Sequence, residues 1–212
     1  MSIIEQEYEN ITKVFNTEKD SFKKRKDETK NILFSSINWS NTFLDFFPYE
    51  SIIKQLKPPI IYKEEKLASV KNHFLNDKLI FAFKNENQKW GTAFVDYEDI
   101  SKRCVLFLEN YENEIMFLQQ LQIAYFQNNR YEKVVWYMHD QNDGEKSMCV
   151  YLFEYDLENN LKKIIRHAFI KEKFNTMPDI EYNFSYNKNK VEIYADHALG
   201  KDLFIYKGKK IY

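Results

Sequence analysis

Along the first thirty positions apolar residues recur at alternating three- and four-residue steps: Ile4, Tyr8, Ile11, Phe15 and Phe22, with Glu18 as a polar interruption. That is the period of one helix face. The residues between are charged and balanced, seven basic and seven acidic within residues 1–30, as a solvated face requires. The spacing predicts an amphipathic helix over residues 3–33, packed on its own domain. A coiled-coil dimer is disfavoured because Arg25 and Thr29 fall on the seam. Trp39 to Pro48 reads as a turn and Tyr49 to Leu56 as a short helix. Pro58-Pro59 then forces extended backbone and marks a change to β-rich sequence.

From Leu79 onward the pattern predicts strands at 79–84, 89–96, 103–109, 133–139, 148–156, 161–170, 180–186, 190–195 and 203–206. "IEYNFSY" alternates cleanly, with Ile180, Tyr182, Phe184 and Tyr186 on one face, as in a half-exposed antiparallel strand. Between the third and fourth strands, Ile115, Leu118, Leu121 and Tyr125 stand at helical spacing and predict a helix over 112–127, capped by Asn110. The expected fold is α+β: a long N-terminal helix, a mostly antiparallel sheet with helices on one side, and a β-rich C-terminal meander. The expected division is residues 1–127 as the α+β domain and 128–212 as a β-rich extension or part of the same domain.

Composition narrows the chemistry. The chain has four glycines, four prolines, 18 Phe, 15 Tyr and 3 Trp. So few glycines leave no room for a phosphate-cradling loop, and the common nucleotide, zinc-protease, hydrolase and calcium motifs are missing. Cys104 and Cys149 lie in apolar strand-like runs and read as buried thiols, which suits a cytoplasmic location. No apolar run approaches the roughly 20 residues that span a bilayer, and "MSIIEQEYEN" does not read as a secretory signal. His139-Asp140 and Asp196-His197 could build a metal or acid–base site only if the fold brings them together. The sequence is therefore read as non-enzymatic, with no cofactor and no metal. The rings mostly alternate within strands as core residues do, so direct nucleic-acid binding is not expected.

Charge patterning is more informative than the net charge of −1. Residues 86–145 hold eleven acidic groups against five basic ones, whereas residues 187–212 hold six lysines against three acids. Asp96, Glu98, Asp99, Glu112, Glu114, Asp140 and Asp143 are the candidate contacts for a basic protein partner, since complementary fields speed association.

In "LIFAFKNENQKWGTAFVDYEDI", residues 85–89 join two strands; Trp90, Thr92 and Phe94 share one face, and Gly91, Ala93 and Val95 the other. Gly91 beside Trp90 suggests that a backbone or ring passes close. The order of features (an apolar strand, Glu86-Asn87-Gln88, Trp90-Gly91, an acidic stretch Asp96–Asp99, a strand and a helix) resembles the SUKH superfamily of SMI1/KNR4-like proteins over roughly residues 45–127. The resemblance implies a bacterial immunity protein that occludes the active site of a cognate, nuclease-like toxin, acting as a monomer or weak dimer. The alternatives are a small hydrolase or metal-dependent enzyme built from the scattered His and Asp residues, or a regulatory scaffold.

Overall fold

The computed structural model describes residues 3–66, 69–86, 89–110, 114–140, 144–170, 175–198 and 200–210. Two helices, α1 (Ile3–Glu18) and α2 (Phe22–Thr29), precede strand β1 (Ser36–Ser40), a single helical turn α3 (Glu50–Ile53) and β2 (Ile61–Tyr62). Then come β3 (Val70–Leu75), β4 (Lys78–Glu86), β5 (Lys89–Tyr97), β6 (Ser101–Glu109), β7 (Met116–Gln127) and β8 (Arg130–His139). The series closes with β9 (Lys146–Tyr155), β10 (Leu161–Ile170), β11 (Asn175–Asn187), β12 (Lys190–His197) and β13 (Gly200–Lys209). All thirteen strands lie in one antiparallel sheet in the order β13 back to β3, followed by β1 and then β2.

This corrects the α+β expectation: the described chain is mostly β, and its helices are sixteen, eight and four residues long. The helix expected over 112–127 is β7. Its register slips by one residue opposite Leu106 and Phe107, which pair with Gln120 and Leu118 and leave Gln119 as the extra residue of a bulge. A bulge resets the two-residue alternation. Leu118 and Leu121 therefore fall on the same face, three apart, and imitate a helical step. The helix expected over 3–33 breaks after Glu18, whose carboxylate accepts bonds from the Ser21 hydroxyl (2.8 Å) and from Arg25.

Strict alternation gives the sheet two apolar faces. On the outer face, Ile4, Ile11 and Phe15 of α1 pack on Val105, Leu118, Leu121, Tyr137 and Val150. On the inner face, Phe46, Phe47, Tyr49, Ile52 and Ile53 form a plug touching Val95 of β5 as well as Val191 and Ile193 of β12. The sheet thus curls around residues 46–53, and α3 reaches β13. Across residue 128 the sheet continues without interruption through the β7–β8 hairpin. Among the described residues, no helix is long and apolar enough to cross a membrane.

The plug carries a buried charge. Glu50 accepts bonds from the Phe46 amide (2.6 Å), the Gln122 amide (3.1 Å) and the Lys54 ammonium. Opposite faces of β5 pack as the sequence suggested, and the Phe43 ring lies 3.4 Å from where a Cβ on Gly91 would sit, with Leu108 at 3.3 Å. Gly91→Val should push Phe43 outward and cost about 1–3 kcal/mol by overpacking, measurable as a lower urea midpoint.

Candidate functional site

Meander topology sorts the loops into two groups, because successive hairpin turns alternate between the two ends of the strands. Turns β3–β4, β5–β6 and β7–β8 lie at one end; turns β4–β5, β6–β7 and β8–β9 lie at the other. This separates the acidic candidates. Glu98 and Asp99 sit exposed in the β5–β6 turn, and Glu98 accepts a bond from Ser101 at 2.9 Å. Glu114 in the β6–β7 turn and Asp140 at the end of β8 lie at the opposite end, and a nine-residue strand spans about 30 Å. Glu112 and Asp143 lie outside the described residues, as do Asn87 and Gln88 of the resemblance motif. Glu86 closes β4 opposite Lys89 in the hairpin register.

Asp96 has a different surrounding. Arg25 grips it with two bonds, Nη1 to Oδ1 at 3.0 Å and Nη2 to Oδ2 at 2.8 Å, while Arg103 reaches it from β6 at 3.1 Å. The same two arginines hold Glu18, at 3.0 and 3.2 Å. Burial alone would raise the pKa of Glu18 and of Asp96, but the hydrogen bonds and charges of the arginines outweigh it and hold both below the usual carboxylate range. This cluster is electrically balanced and ties both helices to the sheet. The polar interruption at Glu18 and the seam residue Arg25 are its two sequence traces.

Trp90 of the resemblance motif faces outward onto a groove of about 1090 Å³. Its floor is aromatic: Trp90 stacks on Phe83 with ring centres 4.7 Å apart, and Phe81 continues the row toward His73 at 5.1 Å. Phe22 and Lys26 of α2 close one end. Along the β3 side run Lys66 and Lys71; along the β6–β7 side stand Glu109 and Glu114. The backbone N–H of Trp90 donates to Glu109 at 3.2 Å, which fixes that carboxylate at the rim. His73 is held neutral more firmly than a free imidazole, chiefly because it is partly buried and also because Lys71 is near. The groove thus has a cationic wall, an anionic wall and a ring-lined floor. Sequence reasoning singled out Trp90 but did not group it with Phe83, Glu109 and the lysines: β4 and β6 were expected, yet not their register against β5, and β3, which carries Lys71, was not foreseen.

The remaining enzymatic candidates are dispersed. His139 ends β8 and His197 ends β12, with three strands between them. His167 instead pairs with Asp179 at 2.7 Å on β10 and β11. Both thiols are free, and burial drives the Cys104 pKa up to about 12 and raises that of Cys149 as well, the setting of inert packing rather than of a nucleophile. Among the described residues, no group of three or more His, Cys, Asp or Glu side chains is placed to hold a metal ion. No family model, curated protein or solved structure matches the chain.

Proposed function

We propose that this chain is a non-enzymatic protein-binding protein that takes a segment of its partner into the outer-face groove. The observation that carries the reading is the row of partly exposed rings, Trp90, Phe83 and Phe81, between walls of opposite charge. Binding energy at protein interfaces concentrates in such aromatic anchors, with charge at the rim setting orientation and association rate. The partner segment that fits places an apolar side chain on Trp90 and Phe83 and a Lys or Arg against Glu109 and Glu114. Its acidic group faces Lys66 and Lys71. The specific form of the proposal, drawn from the SMI1/KNR4-like resemblance of the hairpin that bears Trp90, is neutralisation of a cognate bacterial toxin.

The test offers this chain candidate toxin domains, beginning with any that a neighbouring gene encodes, and measures affinity by surface plasmon resonance. Trp90→Ala should weaken binding by about 30-fold, the cost of one central aromatic anchor. Glu114→Lys should act mainly by slowing association. Glu98→Lys, at the far end of the strands, should change neither. Unaltered affinity in Trp90→Ala would rule the groove out as the interface.

A further inference from the structure

The inner face holds a second, separate cavity of about 230 Å³ beside the plug, opening at the β3–β4 turn. Most of its wall is apolar, including Phe46, Leu79 and Leu106, and the basic side chain in that wall is Lys102 of β6. Lys102 is partly exposed, so its amine is within reach of a molecule entering the cavity. The ammonium donates to the Tyr131 hydroxyl at 2.7 Å and lies 4.4 Å from the centre of the Phe46 ring. Among the described residues no carboxylate is within ion-pair distance of it. Lys54, Lys133 and Lys163 are also partly buried, and each of them holds one.

The charge of Lys102 therefore rests on aromatic rings and one neutral hydroxyl. Burial is the largest influence on its pKa and lowers it to about 8, against the weaker opposing pull of Cys104 and Glu50. The other titratable groups around it are Asp45, Asp77 and Tyr97 in the cavity wall, and Tyr131 of β8. Gln120 and Gln122 complete the polar part of the wall. A lysine in such a place offers a free amine at neutral pH. That is the nucleophile which condenses with carbonyl compounds.

We propose that Lys102 captures a small apolar aldehyde in this cavity as a reversible imine. The amine lone pair attacks the carbonyl carbon, and one proton passes from the nitrogen to the oxygen. The resulting carbinolamine takes a proton from solvent at the open mouth and loses its hydroxyl as water, leaving the protonated imine. A C=N bond replaces the C=O bond, and nothing is oxidised or reduced. The apolar body of the aldehyde lies against Leu79 and Leu106. Tyr131 steadies the attacking nitrogen, because its own hydroxyl is anchored on the Phe46 carbonyl at 3.1 Å. The site is independent of the outer groove, so either can fail alone.

The experiment treats the full chain with benzaldehyde and cyanoborohydride, which fixes any imine as a benzyl amine, and locates the label by peptide mass mapping. At neutral pH Lys102 should be labelled about tenfold faster than the mean of the other lysines. That preference should shrink about tenfold from pH 7 to pH 9, since the other lysines are still gaining free amine there. Glyoxylate, an aldehyde that brings a carboxylate in place of an apolar body, should show no preference for Lys102. In Lys102→Met the fast phase of benzaldehyde labelling should vanish and the slow surface labelling remain. Label spread evenly over the lysines, a preference indifferent to pH, an equal preference with glyoxylate, or a fast phase that survives in Lys102→Met would each overturn the proposal. The site map on the unaltered chain stands whether or not a variant folds.

Discussion

Arg25→Met is expected to lower stability by about 3–5 kcal/mol, the range for removing one partner of a buried ion pair and stranding the other. For a chain of this length that is a fall of about 10 °C in Tm. The reason is the number of bonds that one guanidinium makes. Arg25 spans Glu18 and Asp96, and its side chain and that of Glu18 are only 11% and 10% exposed. Without it, two carboxylates face Arg103 alone, and both helices lose their tie to β5. The pH dependence follows from the depressed pKa values of Glu18 and Asp96. A carboxylate with a lowered folded-state pKa contributes stability above its unfolded value, here 4.5 and 3.8, and loses it as pH falls through the folded value. The deficit of Arg25→Met should therefore be full at neutral pH and shrink on acidification, as read by urea titrations across pH. A deficit that stays constant down to acid pH would mean that the cluster contributes packing rather than charge.

Lys102→Met is expected to act in the opposite direction and stabilise the chain. Burial lowers the Lys102 pKa from 10.5 to about 8. A lysine harder to protonate when folded destabilises the native state at all pH values below the folded pKa. Stability recovers as pH rises from about 8 to 10.5, where the unfolded chain holds the proton and the folded chain does not. Methionine fills similar volume without the charge, and the gain near pH 7 should approach about 3 kcal/mol as an upper bound. Tyr131 keeps its bond to the Phe46 carbonyl (3.1 Å), so no polar group is abandoned. The difference between variant and parent should vanish above pH 10.5. A destabilised Lys102→Met at neutral pH would show that the ammonium earns its place through contacts rather than residing there at a cost.

Much of the sheet was legible before the fold was known. The nine strands expected from the apolar pattern match β4, β5, β6 and β8 to β13, because each carries a short apolar run, cleanly alternating in β11 and nearly continuous in β4 and β6. The face assignment on β5 and the close ring at Gly91 were legible for the same reason. What failed had local causes. The bulge at Gln119 disguised β7, although Leu121, Ile123 and Tyr125 alternate with Gln120, Gln122 and Ala124 once the bulge is passed. Strands β1 and β3 escaped notice because their inner positions carry Ser40 and Asn72, polar residues joined by a buried bond of 2.9 Å from the Asn72 amide nitrogen to the Ser40 hydroxyl. The acidic candidates could be counted but not grouped, since only strand parity reveals that Glu98 and Glu114 point to opposite ends. Arg25 was visible on the helical seam, yet its partner Asp96 stands 71 residues away.

The sequential strand order sets a direction for assembly. From β4 to β13 every strand pairs with the one made just before it, so hairpins can be added one after another at a growing edge as the chain is synthesised. The two apolar N-terminal pieces are in the reverse position. The α1 helix docks on β7 to β10, and Ile53 of the plug accepts a bond from Tyr182, 129 residues later. Segments made first must wait, greasy and uncovered, until the last third of the molecule emerges to receive them. Their capture is the late, long-range step, and a ribosome stalled near residue 130 would hold a nascent chain with its stickiest parts on display.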